Sequence, residues 1–474
     1  MKIFEILLCA FSLLALILSF IKKYNNKSYF VLILLIPLYV LNYNIEGFRW
    51  HMFGVYIYSI LIILSLVFTN QNNKKYSRIN KTIKVFSLIS VSLSTILILL
   101  FGANPLPDID GEYNVGTMSY DLIDVNRNEI YNNTENESRK IRIQIFFPVD
   151  DIRDGQIIMW HEDKAIPRAM IKFWTGLSAP LLDYSTQIET NSYENVMISE
   201  AEEKYPVVII SHGWMGIKSL HTHHAEMLAS NGYIVINIDH TYGSMATIFE
   251  DDTIAYLDEN ALPPNAEQSY SINLVDTYSK DTGLVLNHII DLNSGNLANE
   301  DIIIHSKDDD LEMFYNRLDG ENIGIAGHST GGGGAVKLAV NDSRVKAVFG
   351  LDPWVEAVGV DTLEKGIDVE FLFLRSNEWQ VGDNNDYLKI LIDESDTITG
   401  YQTYNTTHQD FIYIHSFNPL MKIMGIVGKL NTNTNFNIQM DYLLSFFDRT
   451  LKGIDNDLED IADRYDAVDI IKWE

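Results

Sequence analysis

The sequence predicts an α/β protein with a mostly parallel sheet, preceded by a bundle of about four transmembrane helices. The first 104 residues contain four long apolar runs, whereas residues 105–474 alternate short β-rich runs with longer helical ones. Strands that alternate with helices indicate a parallel sheet covered on both faces. We therefore predict a transmembrane helical region over 1–104 and an α/β domain over 105–474.

The apolar runs of the first region are predicted to cross a membrane. They cover residues 3–20, 29–41, 52–69 and 85–101. A helix needs about 20 mostly apolar residues to span the hydrocarbon core, with a range of about 17–25. The second run is shorter and contains Pro37, so its ends must lie at the interfaces. We predict a multi-pass integral protein of the plasma membrane, for which the lipid bilayer is a partner.

Basic residues between the runs predict the orientation. Segment 22–27 contains three lysines and segment 70–84 contains five basic residues, whereas segment 42–51 contains only Arg49. Positively charged loops stay on the cytoplasmic side. The sequence therefore predicts an extracellular α/β domain, and this prediction depends on the second run being a true span.

Charge and cysteine content exclude several functions. The chain of 474 residues has a net charge of −29; residues 1–102 carry +8, which leaves −37 for the remaining 372. Such an acidic domain repels phosphate backbones, so no nucleic-acid partner is expected. The single cysteine, Cys9, lies in an apolar run, which excludes an intrachain disulfide and a thiol nucleophile outside the membrane. No protein partner is indicated.

Runs of strand and helix length then follow one another through the second region. Apolar β-rich runs predict strands at 141–148, 206–211, 233–239, 322–327, 345–351 and 369–374. Helices are predicted at 220–231, 271–292, 330–340 and 441–451, and the Asn/Thr-rich stretch 431–437 is predicted to be a surface loop. Such a sheet places its chemistry at the carboxyl ends of its strands.

A candidate nucleophile lies in the sequence Gly327-His328-Ser329-Thr330-Gly331. This G-x-S-x-G motif follows a predicted strand and opens a predicted helix, which is the setting of the nucleophile elbow in α/β-hydrolases. The two glycines leave room for the sharp turn, and the helix N-terminus favours negative charge. The motif lacks the Lys-Ser/Thr ending of a phosphate-binding loop. We predict Ser329 as the nucleophile of an α/β-hydrolase fold.

An acyl-transfer enzyme also needs two N–H donors for the oxyanion. One is expected from Thr330, the residue after the nucleophile. The other is expected from the loop SHGWMG at 211–216, which follows the strand 206–211 and contains Trp214. We predict the main-chain N–H groups of Trp214 and Thr330 as the oxyanion hole.

The acid and the base follow the nucleophile in this fold, in that order. Asp352 ends the strand after the nucleophile helix, whereas Glu378 and Asp383 follow the next strand, and the residues alone leave this choice open. His408 follows the last strand-like run and is the predicted base, with His415 as its rival.

Six motifs in order resemble the secreted-type platelet-activating factor acetylhydrolase family. They are SHGWMG at 211–216, LASNGYIVINIDH at 228–240, GHSTGGGGAV at 327–336, LDPW at 351–354, NEWQ at 377–380 and THQDF at 407–411. The resemblance covers roughly residues 140–455. It implies a triad of Ser329, Asp352 and His408, with oxyanion donors Trp214 and Thr330. It also implies calcium-independent release of short or oxidised acyl groups from phospholipids, without cofactor or metal.

Two other functions are compatible with the sequence. The four-glycine run also resembles bacterial cutinase-like and polyester hydrolases, which would make the protein a general carboxylesterase acting on small esters. Secreted members of the family lack the helical region, so this chain would be a membrane-anchored member. A membrane sensor that retains the fold without catalysis is the non-enzymatic alternative, and the complete set of nucleophile, acid and base opposes it.

Overall fold

The N-terminal region of the chain is helical. The structure, a computed structural model, describes residues 3–21, 28–68, 74–102, 106–132, 137–307, 310–416 and 420–473. Helices α1 to α4 lie at the predicted apolar runs: Ile3–Phe20, Ser28–Leu41, Phe53–Phe68 and Lys74–Leu100. Among the described residues, Ile3–Phe20 and Arg78–Leu100 are long and apolar enough to cross a membrane. In the residues that the structure describes, helices α2 and α3 extend over 14 and 16 residues, whereas a typical span has about 20.

The second region is an α/β domain. Its strands are β1 Asn114–Asn128, β2 Ser138–Val149, β3 Gln156–Met159, β4 Glu189–Glu194, β5 Tyr205–Ser211, β6 Ile234–Asp239, β7 Ala246–Ile248, β8 Ile254–Tyr256, β9 Ile302–His305, β10 Leu318–His328, β11 Val345–Leu351, β12 Glu370–Arg375, β13 Ile398–Thr403 and β14 Val468–Ile470. Its helices are α5 Ala165–Thr175, α6 Thr222–Ser230, α7 Gln268–Ser294, α8 Thr330–Asn341, α9 Val360–Leu363, α10 Asn384–Asp393, α11 Leu420–Ile423, α12 Thr432–Leu451 and α13 Glu459–Arg464. A long 3₁₀ segment, Pro180–Gln187, follows α5.

The strand order explains where a site can form. In the part of the chain that is described, twelve strands form one sheet in the order β14-β13-β12-β11-β10-β5-β6-β2-β1-β4-β3, with β9 beside β1. Strands β6, β5, β10, β11, β12 and β13 are parallel. The chain leaves β5 for β6 on one side and returns to β10 on the other. The crevice between the ends of β5 and β10 is therefore the switch point at which such sheets bind ligands.

Both faces of the sheet are buried, as the apolar runs predict. In β5, Val207 and Ile209 pack into one hydrophobic cluster, and Val208 and Ile210 pack into another on the opposite face. Successive side chains of a strand point to opposite faces, so a run without polar residues needs cover on both. Helices supply this cover, for example α7 and α8 on the first face and α12 on the second.

One sequence prediction in this region is wrong. Residues 431–437 are not a surface loop, because α12 begins at Thr432. The Asn431 side chain accepts hydrogen bonds from the N–H groups of Asn433 and Thr434, which makes it the N-cap. Asn435 and Phe436 are then buried by the first turns of the helix. The cap overrides the low helix propensity of a polar stretch.

Candidate active site

The predicted nucleophile lies at the turn between β10 and α8. Ser329 has φ 52° and ψ −118°, a backbone conformation that a non-glycine residue adopts only when its surroundings impose it. The turn leaves no room for side chains nearby. A Cβ on Gly331 would lie 2.2 Å from the carbonyl oxygen of Ser211, and one on Gly327 would lie 2.5 Å from the carbonyl carbon of Gly331. This is the backbone expected of a nucleophile elbow.

The structure brings Asp352 and His408 together. A carboxylate oxygen of Asp352 lies 2.9 Å from Nδ1 of His408. The backbone N–H and the hydroxyl of Ser376 donate to the same carboxylate, at 2.8 and 2.6 Å. Asp352 is fully buried and has φ 43°. A carboxylate held by these donors can orient the imidazole and stabilise its protonated form.

The rival acids and the rival base lie elsewhere. Glu378 accepts a hydrogen bond from the backbone N–H of His408, at 2.8 Å, rather than from the imidazole. Asp383 lies at the start of α10. The side chain of His415 lies outside the described residues. In the described part of the chain, it is therefore Asp352 that contacts the imidazole of His408.

Two further rings enclose the imidazole of His408. The indole of Trp379 stacks on it, with ring centroids 4.4 Å apart, and the His328 ring lies 4.4 Å away at an angle of 31°. Nε2 of His328 is 3.2 Å from the carbonyl oxygen of His408. Burial and the neighbouring His408 hold the pKa of His328 well below its usual range, so His328 is neutral at pH 7.

The loop after β5 lies directly against the nucleophile. A Cβ on Gly213 would be 2.9 Å from Cβ of Ser329, so only glycine allows this approach. The N–H of Trp214 donates to Oγ1 of Thr330 at 3.2 Å. Both residues predicted to form the oxyanion hole therefore lie side by side at the start of α8.

These residues open into one cavity of about 320 Å³ at the carboxyl ends of the strands. Ser329, His408, Trp214 and Thr330 all line it, and Asp352 lies behind His408. The remaining lining is mostly apolar and contains Met170, Trp174, Met215, Leu220, Met245, Leu262, Trp354, Trp379, Ile412 and Ile414. Such a lining suits an apolar ligand with few polar groups.

A second Ser–His–Asp set is present but enclosed. Oγ of Ser211 is 2.8 Å from Nε2 of His240, and Nδ1 of His240 is 3.0 Å from the carboxylate of Asp281. Burial opposes the charge of Asp281, but Arg139 and Arg127 hold its pKa well below the usual range. All three members are fully buried, so this set braces the end of β5 and has no path to substrate.

The sequence did not indicate the residues that surround the predicted acid and the predicted base. Ser376 and His328 carry no signal of their own, although His328 lies inside the nucleophile motif and Trp379 inside NEWQ.

No group of three or more His, Cys, Asp or Glu side chains that could hold a metal ion occurs among the residues described. The histidines of the HTHH stretch at 221–224 are buried around α6.

The fold and the position of the cavity define an α/β-hydrolase. A ferulic acid esterase from Streptomyces cinnamoneus shares this fold with a TM-score of 0.62 at 20% identity, covering 78% of this chain and all of that one. The family model described as platelet-activating factor acetylhydrolase, isoform II, matches residues 99–469. The chain belongs to that family and is a carboxylic ester hydrolase, which confirms the resemblance inferred from the motifs.

Curated relatives of the chain are also esterases. The platelet-activating factor acetylhydrolase of Cavia porcellus is 21% identical over 389 residues, which cover 77% of this chain and 82% of that protein. The same enzyme of Canis lupus familiaris is 26% identical over 253 residues, and the match spans 54% of its length. Cutinase 1 of Thermobifida cellulosilytica is 27% identical over 171 residues, which cover 35% of this chain and 48% of the cutinase.

Proposed function

We propose that the protein hydrolyses lipid esters at a membrane surface, with Ser329, His408 and Asp352 as its catalytic triad. One observation carries this proposal: a strained serine at an elbow shares an apolar cavity with a histidine whose ring is held by a buried carboxylate. The names of the relatives, acetylhydrolases and cutinases, support ester chemistry of this kind.

The reaction proceeds through an acyl-enzyme. Oγ of Ser329 attacks the ester carbonyl while Nε2 of His408 removes its proton, and Asp352 stabilises the imidazolium through Nδ1. The tetrahedral intermediate collapses, the proton passes to the leaving alcohol, and the acyl group stays on Ser329. Water then attacks the acyl-enzyme with the same base, releasing the carboxylic acid and restoring the serine.

The oxyanion is stabilised by the N–H groups of Trp214 and Thr330. Thr330 is the first residue of α8, so its N–H has no partner within the helix, and the helix dipole favours negative charge there. The N–H of Trp214 donates to the Thr330 hydroxyl. A developing oxyanion is a stronger acceptor than a hydroxyl and would take over this donor.

The proposed substrate is a phospholipid with a short acyl group. A cavity of about 320 Å³ lies at the small end of the range for ligand pockets, roughly 300–1,000 Å³, and favours a short apolar chain. Apolar side chains exposed on α1 and α4, such as Ile17 and Ile89, support membrane attachment. We further propose that all four helices cross the plasma membrane and that the α/β domain is extracellular.

The test compares the full-length parent with the Ser329→Ala and Ser211→Ala variants in detergent micelles. Each receives a nitrophenyl acetate and a short-acyl phospholipid, and each is treated with a fluorophosphonate that labels activated serines. We expect Ser329→Ala to lose turnover and labelling. Ser211→Ala removes the matched serine of the enclosed set and is expected to keep both.

The outcomes separate the proposal from its alternatives. Turnover of the simple ester alone would keep the triad but favour the general carboxylesterase, which the cutinase relatives and the uncharged cavity lining also favour. Equal turnover in parent and Ser329→Ala would remove Ser329 from the chemistry. No turnover or labelling in any of the three proteins would favour the non-catalytic sensor.

A further inference from the structure

Among the described residues, a small aromatic cluster connects the N-terminal helices to the α/β domain. Nε1 of Trp50 donates to the carbonyl oxygen of Leu181 at 3.1 Å. The ring of Phe101, which directly follows α4, lies 5.1 Å from the Trp50 ring and 5.9 Å from the Tyr184 ring. Leu181 and Tyr184 belong to the long 3₁₀ segment. Trp50 and Phe101 therefore hold this segment from the side of the helices.

A buried ion pair fixes the loop that carries Trp50. Nε of Arg49 lies 3.0 Å from the carboxylate of Glu5 in α1, and both side chains are almost completely buried. Nη2 of Arg49 also donates to the carbonyl oxygen of Phe101 at 2.7 Å. Its guanidinium lies 6.0 Å from the centre of the Tyr184 ring. Arg49 thus ties two helices and the loop to the same point of the α/β domain.

The long 3₁₀ segment, which contacts the N-terminal helices, also contacts α5. Asp183 of the 3₁₀ segment and Arg168 of α5 form a bidentate ion pair. The Nε–Oδ1 distance is 2.9 Å and the Nη2–Oδ2 distance is 2.5 Å. Tyr184 of the segment and Met170 of α5 pack into one hydrophobic cluster, against which Phe101 also packs. A close-packed interior transmits strain, so a shift of Tyr184 is expected to reach Met170.

Helix α5 forms one wall of the substrate cavity. Met170 and Trp174 of this helix line the cavity that contains Ser329. Trp174 is 69% exposed and contacts the ring of Phe173, with centroids 5.7 Å apart. Helix α5 contacts the long 3₁₀ segment more extensively than it contacts β7, so the segment is its main support.

We infer that Trp50 and Phe101 are positioning residues that set the α5 wall and thereby the size of ester that the cavity accepts. This inference rests on the proposed function, in which the cavity holds the acyl group next to Ser329. The N-terminal helices are then part of the substrate-binding structure in addition to anchoring it. Because the N-terminal helices hold the α5 wall, the acyl group that the cavity accepts depends on the position of these helices.

The first test uses the full chain in detergent micelles with nitrophenyl acetate and nitrophenyl octanoate. We expect Trp50→Ala to raise KM for the octanoyl ester about tenfold and KM for the acetyl ester about twofold or less, because a short acyl group reaches the wall least. Phe48→Ala is the matched control. Phe48 is an exposed ring of the same loop that stacks on Tyr56, with centroids 5.4 Å apart.

A second variant tests whether the effect of Trp50 reaches α5 through the long 3₁₀ segment. Arg168→Met breaks the pair with Asp183 while Trp50 stays in place, and we expect the same selective rise in KM. The double variant is expected to match either single one, because two changes on one path do not add. Additive effects, equal changes for both esters, no change in Trp50→Ala, or the same change in Phe48→Ala would each overturn the inference.

Cross-linking tests the contact independently of turnover. Cysteines replace Trp50 and Leu181 in a Cys9→Ser background, which removes the single native cysteine. A short bis-maleimide is expected to link the two positions in the full chain, and failure to link them would overturn the proposed contact. If Ser329→Ala retained turnover while the link formed, the proposed chemistry would fall and the contact would stand.

Discussion

The indole of Trp379 lies flat on the imidazole of His408, with ring centroids 4.4 Å apart and an angle of 7° between the planes. His328 lies 4.4 Å from the same imidazole, and two rings cannot occupy one face, so His408 is enclosed between them. With Nδ1 held by Asp352, the ring has no freedom to tilt or flip. The position of its other nitrogen, Nε2, is therefore set by contacts within the protein.

Replacing Trp379 is expected to slow the chemistry. Trp379→Leu removes the flat surface and should lower kcat about tenfold, since a misplaced base loses part of the advantage of orientation. Trp379→Phe restores an aromatic face and should recover most of the rate. The measurement is kcat for nitrophenyl acetate at saturating substrate. A fall in kcat/KM at constant kcat would instead show that Trp379 acts through substrate binding.

Asp352→Asn is expected to lower kcat by about 10³–10⁴, because the amide no longer stabilises the imidazolium and favours the wrong tautomer. Asparagine tolerates the positive φ of this position, so the backbone turn should persist. Glu378→Gln is the matched control, since glutamine can still accept from the backbone N–H of His408. A loss of similar size in Glu378→Gln would move the role of the acid to Glu378.

Gly213→Ala is expected to reduce kcat about 10²-fold without unfolding the protein. The added Cβ would lie 2.9 Å from Cβ of Ser329 and 3.0 Å from Nδ1 of His328, which forces the oxyanion loop away from the nucleophile. Gly320→Ala is the control, because nothing lies within 4 Å of a Cβ there. Turnover and thermal unfolding should be compared in both variants, and an unchanged kcat in Gly213→Ala would contradict the proposed role of the loop.

The sequence was sufficient for the central part of the sheet and insufficient for its edges. Runs such as PVVIIS at 206–211 are apolar throughout because both faces of β5 are buried, and that pattern needs no tertiary information. Strand β1 was not predicted, since Asn114–Asn128 mixes polar and apolar residues and is held by antiparallel pairing with β2. The N-cap at Asn431 was not predicted either, because the effect of a cap depends on side-chain geometry rather than on composition.

Within the site, the sequence could place residues at strand ends but could not choose among them. Asp352, Glu378 and Asp383 all follow parallel strands or their loops, and the resemblance to a family was needed to favour Asp352. The structure adds a physical difference: Asp352 is buried against the imidazole, whereas Glu378 accepts from the backbone. Ser376 could not be found, because a serine that supports a carboxylate has no sequence pattern.

A buried histidine far from the nucleophile predicts how stability depends on pH. Nε2 of His288 in α7 lies 2.7 Å from the hydroxyl of Tyr120, and burial lowers the pKa of His288 to about 4. Its pKa in the unfolded chain is about 6.5. Below pH 6.5 the unfolded chain therefore binds a proton that the folded protein excludes. The stability due to neutral His288 is complete above this value and declines as the pH falls toward 4.

His288→Gln should remove this dependence, because glutamine can accept from Tyr120 and does not titrate. We expect the parent to lose about 2 kcal/mol more stability than His288→Gln when the pH falls from 7 to 5. The measurement is urea unfolding of the full chain in micelles at both pH values. Exposed His305 provides the control, and His305→Gln should behave like the parent. An equal loss in parent and His288→Gln would show that His288 is already protonated in the folded protein or that its burial is relieved.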